Sequence, residues 1–241
     1  MQEPASFART LDEVAALGPD RLAVFNYAHV PWLKRAQRIL KPALRPTAET
    51  KLELLKLTIE KLTAAGYVYI GMDHFARPTD ELALAQRNRT LQRNFQGYST
   101  KAGLDLYAFG ASSISQAHAA YWQNHKDLPA YYAALDQGQL PVARGCLLTG
   151  EDRLRRHAIM QIMCNLGLDY PAVSEQFGVD CAAHFARELE SLADLEADGL
   201  LKRKPDSLEV TDLGRLFIRN IAMRFDAYLP TETAPRYSQT V

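Results

Sequence analysis

The feature that most constrains the fold is a helix-to-strand alternation that occurs twice before residue 73. Phe7, Leu11, Val14 and Leu17 recur at helical spacing, and Gly18-Pro19-Asp20 breaks the pattern before the apolar run Leu22-Ala23-Val24-Phe25. This predicts a helix, a turn and a buried strand. Pro46-Thr47 is placed to cap a second helix whose Leu52, Leu55, Ile59 and Leu62 form an apolar stripe ending at Gly66. Tyr67-Val68-Tyr69-Ile70-Gly71-Met72 then reads as a second strand, rich in aromatic and β-branched residues. The order αβαβ predicts parallel strands covered by helices. A strand period of about 45 residues suits a (β/α) barrel, but a whole eight-stranded barrel takes roughly 250 residues, so an incomplete barrel is expected. Chemistry in such folds sits at the C-terminal ends of the strands. Asn26-Tyr27-Ala28-His29 and Asp73-His74-Phe75-Ala76-Arg77 are therefore expected on one functional rim.

Downstream, Thr79 is expected to cap a helix running to about Arg93, with Asp80 and Glu81 complementing its dipole. Asn94 to Thr100 reads as a polar, aromatic loop. The small-residue stretch Gly103 to Ser115 suits close packing against another surface or a ligand. A domain boundary is placed here, giving 1–100 as the barrel part and 101–241 as a mainly helical domain. Thr149-Gly150-Glu151-Asp152 resembles a capping box, followed by Leu154, Ile159, Ile162, Met163 and Leu166 on one helix face. Phe185, Leu189 and Leu192 mark another helix closed at Gly199. Leu200 to Arg203 and Ser207 to Val210 form a hairpin about Lys204-Pro205-Asp206, and Thr211 caps a last helix reaching Tyr228. The expected class is α/β plus mainly α, the C-terminal portion winged-helix-like.

Lysine plus arginine balances aspartate plus glutamate at 28 each, so no global field attracts nucleic acid or an anionic membrane. No apolar stretch approaches the roughly 20 residues of a membrane span, and Met1-Gln2-Glu3-Pro4 lacks a basic-then-apolar signal. A cytoplasmic protein is expected. Cys146, Cys164 and Cys181 are odd in number and widely spaced, which predicts reduced, partly buried thiols and neither a disulfide framework nor a metal site. His29 and His74 read equally as proton relays or as structural hydrogen-bonding groups, and Asp73 as a base or a cap. Arg77 could grip a carboxylate with its two-pronged guanidinium. Arg87, Arg89, Arg93 and Lys101 surround Phe95 and Tyr98, which is either a solvated face or an anion-receiving rim with rings for a flat ligand. Pattern alone stops at an anionic-ligand site.

Longer strings carry a resemblance. Phe25-Asn26-Tyr27-Ala28-His29-Val30-Pro31, Ile70-Gly71-Met72-Asp73-His74-Phe75-Ala76-Arg77-Pro78 and Arg93-Asn94-Phe95-Gln96-Gly97-Tyr98 resemble oxygen-independent coproporphyrinogen III oxidases of the radical S-adenosylmethionine superfamily. Gly110 to Ser115, Leu168-Asp169-Tyr170 and Arg219-Asn220-Ile221 extend the likeness along essentially the whole chain. The resemblance implies that a reduced [4Fe-4S] cluster cleaves S-adenosylmethionine. The radical so formed initiates oxidative decarboxylation of two propionates of coproporphyrinogen III to vinyl groups, giving protoporphyrinogen IX. It implies Ala28 and Ile114 as contacts of S-adenosylmethionine, and His74, Arg77 and Arg93 are the candidates for the substrate's carboxylates. The family's CxxxCxxC cluster motif is absent from this sequence, so the chain is expected to hold no catalytic or metal-ligating residue, to need a barrel segment and a reductant from elsewhere, and to be inactive alone. The alternatives are a non-catalytic porphyrin-binding or partner-binding module on the same scaffold and, disfavoured by the zero net charge, a nucleic-acid binder using the hairpin cations Lys202, Arg203 and Lys204.

Overall fold

The computed structural model describes residues 3–41 and 45–229; Met1-Gln2 and the end of the expected second domain, 230–241, lie outside the described residues. Helices α1 (Pro4–Leu17) and α2 (Ala48–Ala64) form where the apolar spacing places them. Gly18 closes α1 at φ 68°, a left-handed position that favours glycine, and the Thr47 hydroxyl accepts the Thr50 amide at 3.2 Å to cap α2. Their inner faces bury Leu11 and Leu62 against Tyr67, Tyr69 and Phe75.

The sheet beneath them departs from the parallel arrangement. Strands β1 (Arg21–Ala23), β2 (Val68–Gly71) and β3 (His74–Ala76) lie in the order β1-β3-β2, and every pairing is antiparallel. β1 and β2 do run in the same direction, but β3 separates them. After β2 the chain reverses through Met72-Asp73, with Met72 at φ 55°, and a reversal this tight can only join antiparallel neighbours. β1 is also not the buried strand expected: Arg21 and Ala23 face solvent and Phe25 beyond it is 75% exposed. The described residues form no closed barrel.

Helix α3 (Glu81–Arg87) is capped by Asp80 rather than Thr79, the Asp80 carboxylate accepting the Leu82 amide at 2.8 Å. It stops short of Arg93 because Arg89 turns at φ 56°. The segment read as a loop is instead a hairpin of β4 (Gln92–Asn94) and β5 (Gly97–Ser99), with Arg93 opposite Tyr98. Residues 103–113 are not packed closely either: Leu104 and Phe109 are 66% and 92% exposed. Their small residues serve turns, with Ser112 at φ 64° and the Asn124 amide donating to Gly110 O at 3.0 Å.

A three-stranded antiparallel sheet unassigned from sequence follows, made of β6 (Ile114–Gln116), β7 (Ala120–Asn124) and β8 (Val142–Leu147), with α4 (Leu128–Asp136) between β7 and β8. Helix α5 (Gly150–Asn165) begins at the anticipated capping box, Thr149 Oγ1 accepting from Asp152 N and Asp152 Oδ2 from Thr149 N. Then come β9 (Gly167–Asp169), α6 (Tyr170–Phe177), the short α7 (Cys181–His184), α8 (Ala186–Glu190) and α9 (Ala193–Ala197), and the hairpin β10 (Leu201–Arg203) and β11 (Ser207–Val210). The hairpin is present as expected, with β9 added as a third strand in the order β10-β11-β9. Thr211 Oγ1 accepts from Gly214 N, but what it opens is a 3-10 turn, Gly214–Phe217, before the six-residue α10 (Ile218–Met223). One core joins α5, the hairpin and α10 through Ile162, Phe185, Leu192, Leu208, Ile221 and Phe225.

The N-terminal sheet is fastened to this core. Cys164 of α5 packs with Ile70 and Tyr98. Arg215 lies 4.9 Å from the Tyr69 ring centroid and donates to the Tyr69 carbonyl at 2.6 Å. Among the described residues no helix is long and apolar enough to cross a membrane.

Candidate functional site

The hairpins β2–β3 and β4–β5 face each other through two glycines. A Cβ on Gly71 would lie 2.6 Å from the Tyr98 hydroxyl, and one on Gly97 would lie 2.9 Å from His74 Nε2. Each hairpin thus leaves a gap that the other's ring fills. His74 meets Tyr98 edge-on at 5.2 Å, and its Nδ1 lies 2.9 Å from Asp73 Oδ1. The Arg93 guanidinium lies 5.7 Å from the same Tyr98 ring, with its Nε buried and without a partner among the described residues. Tyr98 in turn donates to Met163 O of α5 at 3.3 Å.

Burial pushes the Asp73 carboxyl up, but the hydrogen bond from His74 and the charges of His74 and Arg219 outweigh it and hold the group below the ordinary aspartate value. Burial raises the Tyr98 phenol, so it stays protonated and acts as a donor. The result is an anionic Asp73 orienting His74, with the Arg93 cation beside the same tyrosine.

The structure sorts the residues singled out by sequence. His74 and Arg93 share Tyr98. Arg77 does not join them: its guanidinium stacks 4.6 Å over the Tyr67 ring and its amide donates to Asp20 O, at the other end of β3. Val24 N donates to Asp73 O at 2.7 Å, so the segment leading to Ala28 departs from the same end of the sheet as Asp73. Ala28 is exposed, its carbonyl accepting from Gln37 Nε2 at 3.0 Å, and His29 Nδ1 accepts from Arg45 Nη1 at 2.8 Å. Ile114 is half-buried on β6 opposite Gln123.

Two cavities adjoin this region. The smaller, about 120 Å³, is lined by Arg93, Lys101, Asp105, Gln116 and Arg156. The larger, about 720 Å³, lies between the β6–β7 turn, α5 and α6 and is lined by Arg153, Arg156, His157, Met160 and Phe177. They share Gly103, Gln116, His118 and Arg156; neither is lined by Ala28, His74, Arg77 or Ile114. The sequence reading missed Tyr98 as a hub and Arg153 and Arg156 altogether. A signal for the arginines was available: 153, 156, 157 and 160 stand at i, i+3, i+4 and i+7, one face of a helix.

The cysteines do not fit an iron–sulfur cluster. Cys164 and Cys181 are buried, and burial pushes their thiols up to about 12 and about 11. Cys146 is exposed on β8, and the described residues contain no group of three His, Cys, Asp or Glu side chains able to hold a metal ion. Thiolates, three of them converging, are what a cluster needs.

The fold matches about half of a larger, solved enzyme. The chain superposes at a TM-score of 0.91 on the solved structure described as coproporphyrinogen III oxidase (HemN) from Escherichia coli, a radical SAM enzyme, at 49% identity over 95% of this chain and 52% of that one. Residues 148–217 match the HemN C-terminal domain model. A Synechocystis oxygen-independent coproporphyrinogen III oxidase is 49% identical over 96% of this chain and 51% of its own length. The relative of the same name from Thermostichus vulcanus is 49% identical over the whole of this chain and 74% of its own. The chain belongs to the oxygen-independent coproporphyrinogen III oxidase family, and it spans about half the length of most of these relatives.

Proposed function

We propose that the chain is the C-terminal part of an oxygen-independent coproporphyrinogen III oxidase, acting in the cytoplasm in the oxidative decarboxylation that turns two substrate propionates into vinyls. The observation that carries this is the pair of interlocked hairpins: the two most idiosyncratic strings of the sequence, Ile70 to Pro78 and Arg93 to Tyr98, come together around one buried tyrosine. In this reading His74, oriented by Asp73, and Arg93 receive a substrate carboxylate. Arg77 serves the same substrate only by leaving its stack on Tyr67, and is the weakest of the three. Ala28 and Ile114 are the contacts for S-adenosylmethionine, through backbone and packing since both are apolar. The chain's own residues bind and orient; the [4Fe-4S] cluster, whose ligands the three cysteines do not supply, belongs to polypeptide beyond these residues. The part before residue 101 is the barrel portion in this proposal. The remainder contains a winged-helix-like unit, supported by the order α5-β9-α6 through β10-β11 with β11 central in its sheet.

The test joins this chain to the remaining half of the Synechocystis relative. The chimera is loaded with cluster and S-adenosylmethionine and assayed without oxygen for conversion of coproporphyrinogen III, read by chromatography of the oxidised porphyrins. Conversion by the chimera and none by the isolated chain is expected. A loaded chimera that converts nothing would refute the enzyme reading and favour a non-catalytic porphyrin-binding module.

A further inference from the structure

We propose that the two adjoining cavities form one cationic recess that takes the carboxylate arms of a tetrapyrrole, with Arg153 and Arg156 as its anchoring groups. The charge pattern is the first argument. Arg93 and Lys101 border the smaller cavity and Arg153 and Arg156 the larger, with Arg156 common to both. Among the described residues none of these four cations lies within salt-bridge distance of a carboxylate, whereas the neighbouring Arg155 pairs with both Glu151 and Glu188. The carboxylates that do line the recess are otherwise engaged. Glu151 accepts from Arg155 at 2.5 Å and lies 3.0 Å from His184, and Asp105 accepts the His118 amide at 3.1 Å.

Pre-orientation is the second argument. Arg156 donates to the Tyr121 hydroxyl at 3.2 Å and to the His118 carbonyl at 3.0 Å, which fixes its plane and uses two of its five N–H donors. Arg153 donates one to His118 Nε2 at 3.2 Å. The remaining donors form forks suited to carboxylate oxygens. Leu154, Met160, Phe177 and Val179 supply an apolar wall to the larger cavity, and about 720 Å³ lies within the usual range for a small-molecule site. An apolar floor beneath a cationic rim matches a ring system that carries acidic arms.

Position is the third. Side chains two apart on a strand share a face, so Ile114 and Gln116 of β6 look the same way, about 7 Å apart. Gln116 lines both cavities, and its cross-strand partner Tyr121 touches Phe95 edge-on at 5.5 Å. The recess therefore opens beside the Arg93–Tyr98 hairpin. That the arms belong to a tetrapyrrole rests on the function proposed above; the cationic recess itself does not.

Coproporphyrin III, the stable tetracarboxylate, is titrated into the 241-residue chain by fluorescence, with the dicarboxylate protoporphyrin IX as comparison and each titration repeated at high salt. The expected result is tighter, salt-sensitive binding of the tetracarboxylate. Affinity should fall about tenfold for Arg153→Gln or Arg156→Gln and the preference should vanish in the double variant. Arg156→Lys, which keeps the charge and the fold, should retain part of it, and Lys202→Gln on the β10–β11 hairpin should change nothing. A double variant that binds coproporphyrin III as the parent does, or a parent chain that does not prefer it, overturns the inference. Because the readout is binding by this chain and not turnover by the chimera, failure of the one is distinguishable from failure of the other.

Discussion

Replacing Gly97 by alanine tests whether the two hairpins are locked by their glycines. Gly97 sits at φ 130°, where an L side chain is strained, and the added Cβ would approach His74 Nε2 to 2.9 Å. The backbone part of the cost is about 1–3 kcal/mol. The steric part arises because the imidazole is no flexible tip: Asp73 holds one edge at 2.9 Å and Tyr98 the other side at 5.2 Å. Moving it forfeits a charge-assisted hydrogen bond, about 1.5–3 kcal/mol, or an aromatic edge contact, about 0.5–1.5 kcal/mol. The total expected from urea unfolding is about 1.5–6 kcal/mol. Gly103→Ala is the control, since Gly103 at φ 71° faces open space and should lose only the left-handed backbone term, about 1–2 kcal/mol. The decisive comparison repeats Gly97→Ala in a His74→Ala background. With the ring gone only the backbone term remains, so the two substitutions should couple by at least about 0.5 kcal/mol. Equal costs in the two backgrounds would refute the interlock.

Asp73 should govern part of the acid sensitivity. Its carboxyl lies below the ordinary value when folded, so the stability it contributes is fully present above the unfolded pKa of about 3.9 and is lost as the pH falls through the lower folded value. Asp73→Asn should therefore narrow the difference between urea midpoints measured above and below that range, and an unchanged difference would argue against the His74 partnership. Thiol titration of the native chain should find one reactive cysteine, the exposed Cys146, and all three in denaturant, because burial keeps Cys164 and Cys181 as thiols. Rapid modification of two or more in the native state would contradict the packing of α5 and α7.

The elements legible in the sequence are those whose signals are local. Thr47 and the Thr149–Asp152 pair announced their helices because a cap satisfies amides two or three residues away. The hairpin at Lys204-Pro205-Asp206 was legible for the same reason. What escaped were short strands whose partners are set by packing. His74–Ala76 reads as a polar post-strand segment, and nothing local indicates that Phe75 will be buried between α1, α2 and its neighbours. Gln92–Asn94 carries no apolar alternation at all. The site was half legible: His74 and Arg93 were chosen for their chemistry, but their convergence depends on Tyr98 reaching Met163, 65 residues away. Arg77 lies apart from the other two because three positions along a strand both move a side chain about 10 Å and turn it to the opposite face.

The same packing explains why the cysteines of this chain are poor candidates for iron ligands. Cys164 of α5 packs against Ile70 and Tyr98, in the contact that fastens the hairpins to the C-terminal core. Cys181 is fully buried with Phe185 and Leu192 in a different part of that core. Bringing either out to ligate iron would empty a packed site and also require ionising a thiol whose burial opposes it. The cysteines are thus committed to structure. What lines the two cavities is largely polar and cationic: Arg93 and Lys101 at the smaller, and Arg153 and Arg156 of α5 at the larger. Guanidinium groups of that kind are suited to holding carboxylates through paired hydrogen bonds, which is the chemistry the two cavities offer.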